Sequence, residues 1–572
     1  MYYQALAIDY DGTLATDGQV DEPTLAALRI LRASGRRLIL LSGREHAGLR
    51  RVFPHLHMFD RVVSENGAVL VRPGEGDVVL LAEAPPQKLT EALRQRGVSP
   101  LSWGEVIVSS WEPNEKTVLD TIRELGLEHQ VIFNKGAVMV LPPGVNKATG
   151  LQSALKDLKL SPHNIVGIGD AENDLAFLQL CGCAVAVANA LPSIKEVADV
   201  VTRGARGDGV REIIERLNAN DLVDVPAPRQ RIVLTTDADG HEIRLPTRSF
   251  AALVAGTSGS GKSTFVQVVL ERLVEHRYQY CVIDPEGDYE HLPDTFAIGR
   301  RDQPPKVSQV LEILNEPEAN AAVNLLAIPL PERPGFFAEL LSSLLRLRTR
   351  VGRPHWVVVD EAHHMLPAAA ATVNAPDPLQ DLSGMIFVTV HPDQLSPMAL
   401  SAVDLVVALG KWPQQTIETF CRQVEQAVPD LRGEPLSPKE ALAWMRSAKS
   451  GAIRIATPEP RGERRRHIRK YAEGQLGEDK SFYFRGSDNR LNLRAHNLIM
   501  FMQLADGVDD ATWLHHLRAG DYSRWLREAI KDRDLAREAA EVEASPQADA
   551  AASRERIRAA IERRYTGPAS SQ

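Results

Sequence analysis

Residues 5–13 read ALAIDYDGT and residues 36–44 read RRLILLSGR, two short apolar runs that each end on small polar residues. Between them, TLAALRILRASG carries apolar residues at helical spacing. Strand, helix, strand is the rhythm of a parallel sheet, and it continues to about residue 220. A second wave of the same rhythm begins at SFAALVAGTSGSGKST (residues 249–264) and runs through QYCVIDPEGDY, HWVVVDEAHHM and GMIFVTVHPDQ. The fold class expected for both stretches is α/β.

The chain has 572 residues, and single cores stop growing near roughly 250–300 residues, so two or three domains are expected. Hydrophobic residues make up 44% and charged residues 25%, the balance of an ordinary globular protein rather than a disordered one. The start, MYYQALAIDYDG, lacks a basic segment followed by a long apolar one, and no apolar run is long enough to span a bilayer. A cytoplasmic protein without membrane insertion is expected. The net charge of −9 offers nucleic acid no global attraction. Cys181, Cys183, Cys281 and Cys421 read as reduced residues, mostly in apolar surroundings; one C-x-C cannot complete a zinc site.

In the first stretch, Asp9 and Asp11 stand at the carboxyl edge of the expected sheet, where open α/β folds bind ligands. Gly12 permits a sharp turn there, so one carboxylate can attack phosphorus while the other handles the proton of the leaving group. Ser42 ends the next strand with a hydroxyl and backbone N–H groups for a phosphoryl oxygen. Lys147, in PGVNKATGL, opens a helix and can neutralise charge on phosphate and nucleophile. Asp170, with Asn173 and Asp174 following in NIVGIGDAENDLAFL, adds hard oxygen ligands of the kind Mg²⁺ requires.

Residues 1 to about 218 resemble the haloacid dehalogenase superfamily, in its Cof-like type IIB branch of phosphatases, on the segments DYDGT, LLSGR, SENGA, VNKATGL, GIGDAENDLAFL and AVANA. The resemblance implies a Rossmann-like three-layer domain with an inserted α+β cap, here about residues 82–142, that sets specificity. It implies that Asp9 forms an aspartyl-phosphate, that Asp11 is the general acid/base, and that Mg²⁺ is held by Asp9, Asp170 and the backbone carbonyl of Asp11. Ser42, Gly43, Lys147 and Asn173 then hold the phosphate, with Thr13 and Asp174 supporting the site. The substrate implied is a small phosphorylated metabolite such as a sugar phosphate or phosphoglycolate.

In the second stretch, Gly256-Thr257-Ser258-Gly259-Ser260-Gly261-Lys262-Ser263-Thr264 fits G-x-x-x-x-G-K-[ST] between an apolar strand and an apolar helix. Small residues let backbone N–H groups wrap a polyphosphate, Lys262 reaches its terminal groups and Ser263 offers a hydroxyl to Mg²⁺. The partner strand HWVVVDEAHHM ends in Asp360, expected near the Mg²⁺ water shell, and Glu361, expected to polarise the attacking water. Thr389 and His391 end a further strand as candidate γ-phosphate sensors, and His363 and His364 read as packing or nucleotide-side polarity rather than metal ligands.

Residues of about 228 to 470 resemble the HerA/FtsK-like branch of P-loop ATPases, which implies ATP binding, a hexameric ring and an arginine donated by a neighbour. Arg346, Arg348 and Arg350, or an arginine of PRGERRRHIRKY, are the candidates for it. The latter segment (Arg461, Arg464, Arg465, Arg466, Arg469, Lys470) is also the one concentrated basic patch where nucleic acid can bind, although a solvated edge or subunit contact reads better.

The organisation expected is a phosphatase domain at 1–220, a linker and hairpin around Asp239-Gly240 at 221–245, an ATPase domain at 246–474, and a small helical region with a frayed tail at 475–572. In that last region Leu491, Leu493, Leu498 and Met502 are expected in the core. Two rival functions remain open on sequence: a nucleic-acid translocase with an accessory phosphatase, and an ATPase regulated by a non-catalytic sensor domain.

Overall fold

In the computed structural model the strand Ala5–Asp9 lies at the centre of an eight-stranded sheet, hydrogen-bonded in parallel to Arg37–Leu41 on one side and Ile165–Gly169 on the other. The structure describes residues 1–565 except 135, 226–230, 238–239, 247, 249, 291, 369–381, 432–435, 438, 448–450, 459–479, 487–490, 531 and 546–548. The basic run from Arg461 to Lys470 therefore lies outside the described residues.

Cys183–Ala186 and Val200–Val201 extend the parallel sheet on one flank, and Arg61–Ser64 continues it on the other. Val69–Arg72 and Asp77–Leu80 then close that flank antiparallel. The central strands are buried on both faces, which is why they read as continuous apolar runs rather than alternating ones. Helices such as Glu22–Ala33, Lys147–Leu158 and Gly207–Asn220 cover the sheet.

Between Leu80 and Lys147 the chain leaves this sheet and forms a four-stranded antiparallel one, in the order Ser102–Trp103, Val108–Trp111, Ala137–Leu141, Gln130–Asn134, backed by the helices Gln87–Gln95 and Glu115–Glu124. Its small core is Leu89, Leu93, Val98, Val108, Val118, Ile122, Val138 and Val140.

The second sheet has nine strands, with Ala251–Gly256 between Met385–Thr389 and Leu405–Leu409. Trp356–Val359 and Tyr280–Asp284 follow beyond Met385–Thr389, all parallel. Cores on its two faces bury its central strands, while the edge strands Thr295–Ile298 and Ile453–Ala456 are partly exposed. The hairpin Arg231–Thr236 / Glu242–Pro246 packs on one of these cores through Ile232, Leu234 and Leu245.

The two large sheets meet at the amino ends of their strands. Asn164, just before Ile165–Gly169, donates to the carbonyls of Tyr2 (2.9 Å) and Gly352 (3.4 Å), and His355 lies 3.1 Å from its Oδ1. Because His355 Nδ1 accepts the Gln279 N–H at 2.9 Å, its Nε2 carries the proton and donates to Asn164. His163 stacks on Tyr278 with centroids 3.8 Å apart, and Arg353 donates to the Lys159 carbonyl at 2.6 Å. Gly352 has φ +72°, and a methyl there would press on the Asn164 amide, so the seam needs glycine on both counts.

By internal contact the chain divides into one unit of Met1–Arg461 and another of Gly462–Gln572. In the latter, the hairpin Phe482–Phe484 / Leu493–Ala495 and five helices from Leu498–Gly507 to Ala550–Tyr565 enclose an aromatic core of Phe482, Phe484, Phe501, Trp513, Tyr522 and Trp525. Leu498 is buried there as expected, but Leu493 is 39% exposed. It sits at the start of the second strand of a two-stranded ribbon. All four cysteines are buried. Among the described residues no helix is long and apolar enough to cross a membrane.

Candidate active site

Asp9 is the last residue of its strand, and Gly12 at φ +92° turns the chain back so that the Leu14 and Ala15 N–H groups bond the carbonyls of Asp9 and Tyr10. Lys147, first residue of a helix capped by Asn146, reaches this strand end and bonds Asp9 Oδ1 at 2.5 Å and Asp174 Oδ1 at 2.6 Å. The other Asp174 oxygen accepts the N–H groups of Asp170 (2.9 Å) and Ala171 (3.0 Å). Thr13 Oγ1 donates to Asp170 Oδ1 at 3.2 Å. Asp9, Asp170 and Asp174 each place a carboxylate oxygen within 4.8 Å of the others.

All three carboxylates and the ammonium are buried. Burial first, then Asp174, holds the Asp9 carboxyl well above the usual range, with Lys147 pulling the other way. Burial opposes the Lys147 charge, yet Asp174 and Asp9 together keep it above the ordinary lysine value. Three buried carboxyls share one ammonium, and a donor set of hard oxygens at a strand end suits a small divalent cation.

Asp11 lies outside this cluster of side chains. Arg44 grips its carboxylate with two bonds of 2.7 Å, from Nε and Nη2. Ser42 is buried, with its Oγ accepting the Arg44 N–H at 3.1 Å. Asn173 donates to Asn66 Oδ1 at 3.2 Å, while its own Oδ1 is buried without a hydrogen-bond partner. Glu65, Asn66 and Gly67 form a turn of three consecutive positive φ values (53°, 56°, 110°), tucked against the Asn146 carbonyl where a side chain on Gly67 would collide.

At the second sheet, Gly256–Thr264 links the strand Ala251–Gly256 to the helix Lys262–Glu275. Gly256 at φ +154° runs so close to the Leu409 carbonyl that no side chain fits. Lys262 Nζ folds onto the loop's own carbonyls, Gly256 at 3.0 Å and Thr257 at 3.2 Å. Ser260 Oγ and Thr264 Oγ1 are buried without a partner, and Thr257, Ser258 and Gly259 are exposed.

Asp360 directly follows the Trp356–Val359 strand, and burial, then Glu361 and Asp284, pushes its carboxyl well up. Glu361 adopts φ +42°. His363 Nδ1 lies 3.1 Å from Thr389 Oγ1 and 3.6 Å from Glu361 Oε2, with burial, then His364 and His391, lowering its pKa to about 4. Neither His363 nor His364 joins a metal-competent cluster among the described residues. Of the arginine candidates, Arg348 is committed to the carbonyls of Pro354, Ser383, His355 and Gly384, which ties it to its own domain.

A profile of haloacid dehalogenase-like hydrolases matches residues 6–99 and 106–214. A phosphoglycolate phosphatase of Methanothermobacter thermautotrophicus is 30% identical over 219 residues, 37% of this chain and 98% of that protein. The chain belongs to the haloacid dehalogenase-like hydrolases. A phosphoglycolate phosphatase of Halorubrum lacusprofundi is 32% identical over 223 residues, 37% of this chain and 96% of its own length. A crystal structure of a haloacid dehalogenase-like hydrolase from Bacteroides thetaiotaomicron aligns with 38% of the chain and 99% of its own length, at 22% identity and a TM-score of 0.34. A second profile, the central domain of helicase HerA, matches residues 243–339 and accords with a P-loop fold for the nine-stranded sheet.

Within this haloacid dehalogenase-like hydrolase several residues escape a reading by motif. Arg44 sits in LLSGR and Asn66 in SENGA, so both were in view, but their partners Asp11 and Asn173 lie on other segments. Asp284 of CVIDPEGDY accepts the N–H groups of Gly287, Asp288 and Tyr289, and burial, outweighing those bonds, raises its pKa to about 7. An aspartate ending an apolar strand beside Asp360 was the available signal.

Proposed function

We propose that the first domain is an Mg²⁺-dependent phosphomonoesterase of small phosphorylated metabolites that works through an aspartyl-phosphate on Asp9. The observation that carries this reading is Lys147 bridging Asp9 and Asp174 beside Asp170, with Asp11 held two residues from Asp9 by Arg44. Asp9 and Asp170 supply the ligand oxygens for Mg²⁺, while Asp174, with one oxygen on two backbone N–H groups and the other on Lys147, braces them. Bound there, Mg²⁺ supplies charge neutralisation at the phosphoryl oxygens.

In this reading an Asp9 oxygen attacks phosphorus, the bond from phosphorus to the ester oxygen breaks, and Asp11 gives that oxygen its proton. Water then attacks phosphorus, Asp11 takes a proton back, and phosphate leaves with Asp9 restored. Ser42, which is buried here, the backbone at Gly43, and the Asn173 Nδ2 donate to the phosphoryl oxygens. Carboxylates in both positions distinguish this reading from a non-catalytic sensor. The two curated relatives support a short, carboxylate-bearing phosphate ester as substrate.

The experiment is rapid acid quench with phosphorus-labelled phosphoglycolate and Mg²⁺. Label is expected on the peptide that contains Asp9, and Asp11→Asn is expected to slow turnover about 10²–10⁴-fold. Turnover that survives Asp9→Asn excludes the covalent route.

For the second domain we infer Mg²⁺-dependent ATP hydrolysis, with Lys262 and Ser263 on the terminal phosphates, Asp360 at the metal's water shell and Glu361 as the base. The helicase HerA match favours a form in which hydrolysis is coupled to nucleic acid and to a ring of subunits. Its check is duplex DNA: ATPase stimulation that falls steeply with salt supports this form, and ATPase indifferent to DNA at low salt excludes it.

A further inference from the structure

The inserted four-stranded sheet alternates along its strand Ala137–Leu141. Val138 and Val140 join the sheet's own helices, whereas Ala137, Met139 and Leu141 take the opposite face and pack with the core of the catalytic domain. Met139, 5% exposed, reaches the site. A methyl group placed on Gly43 would stand 3.7 Å from the Met139 sulfur and 3.9 Å from Asn173 Nδ2. The thioether therefore lies over the spot where Gly43 and Asn173 converge, the pair assigned above to the phosphoryl group.

The height of this sheet above the site is fixed from below. Glu65, fully buried at the bottom of the strained turn, accepts the N–H of Glu105 through Oε1 (2.9 Å) and those of Val106 (2.8 Å) and Ile107 (3.0 Å) through Oε2. Those residues lead straight into Val108–Trp111, whose Ser109 is paired in register with Met139. Ile132, across from Met139 on the other neighbouring strand, also packs on the catalytic core. Around Met139 the register neighbours Ser109 and Ile132 and the same-face residues Ala137 and Leu141 are uncharged.

We propose that Met139 determines specificity by roofing the leaving-group space, so that the enzyme takes phosphate esters with short alcohol parts, phosphoglycolate among them, and rejects hexose phosphates. The proposal rests on the phosphatase reading and deepens it. Methionine is unbranched and fills such a gap closely, and the Glu65 anchor keeps the sheet from rising to admit a sugar ring.

The test is kcat/KM, with Mg²⁺, for phosphoglycolate and for glucose 6-phosphate in the native chain, Met139→Ala and Met139→Leu. The native chain is expected to favour phosphoglycolate, and Met139→Ala to shift the ratio toward glucose 6-phosphate by about 10–100-fold. Met139→Leu, close in volume, should hold the native ratio. Where Met139→Ala does not fold, Met139→Val reads the same ratio with a smaller shift. An active, folded variant with an unshifted ratio, or a native chain that takes both esters equally, overturns the proposal. A native chain that releases phosphate from no ester overturns the phosphatase reading itself, a result distinct from activity with unaltered selectivity.

Discussion

The two lysines at the two sites are held in opposite ways. Lys147 is sunk between Asp9 and Asp174, whose charges it balances in part, so the phosphatase site is organised by the chain itself. Lys262 folds onto the Gly256 and Thr257 carbonyls of its own loop, and burial holds the carboxyls of Asp360 and Asp284 well above the usual range. The first site is braced within the fold; on the function proposed above, the second receives its balancing charges from a nucleotide and its cation. A charge inside a protein is stabilised by its partners, and the difference lies in whether those partners belong to the fold or to the ligand.

This contrast breaks most readily at Lys147. Removing it leaves Asp9 and Asp174 buried without their cation, and Lys147→Ala is expected to lower the stability of the full chain by about 3–5 kcal/mol in urea unfolding, besides ending ester hydrolysis. A cost near zero would mean the site is not preorganised by that pair. At the other site the expected pattern is reversed. Lys262→Ala should leave unfolding of the ligand-free chain nearly unchanged. What it should lose is the stabilisation by ATP and Mg²⁺, about 2.7 kcal/mol in the native chain at a ligand concentration 100 times the Kd.

The smallest effect is expected at the seam between the two sheets. Burial lowers the His163 pKa to about 4, and burial, with His163 and Arg353 adding to it, lowers that of His355 well below the ordinary value. In the unfolded chain both imidazoles take up protons near pH 6.5. Between about pH 6.5 and 4 the unfolded chain thus binds more protons than the folded one, so stability is fully present above pH 6.5 and falls as pH is lowered through that window. A melting temperature that drops by a few degrees from about pH 7 to pH 5, less so in His163→Phe, is the expected outcome. An equal drop in His163→Phe would assign the acid sensitivity elsewhere.

The seam also orders the two sites in space. Asn164 stands at the amino end of the strand that leads to Asp170, and His355 at the amino end of the strand that leads to Asp360. Both sets of catalytic candidates therefore lie at the carboxyl ends of strands that start at the seam.

Much of this was legible because strand ends are marked in sequence. Asp9, Ser42, Asp170, Gly256 and Asp360 each terminate an apolar run, and buried parallel strands write such runs plainly. Lys147 was legible as the opening of a helix after Asn146. What could not be read depends on distant segments meeting. The grip of Arg44 on Asp11, the Glu65 anchor and the Met139 roof are tertiary contacts with no periodicity of their own. The exposed Leu493 shows the converse, an apolar residue expected in the core that lies on the exposed side of a two-stranded ribbon.

The central claim is two hydrolytic sites, separately built and separately lost. The direct measurement is phosphate release with Mg²⁺, from phosphoglycolate and from ATP, by the native chain, Asp9→Asn and Lys262→Ala. The account predicts that Asp9→Asn ends release from phosphoglycolate alone and Lys262→Ala ends release from ATP alone. A single substitution that silences both, or ester hydrolysis that persists in Asp9→Asn, would contradict it.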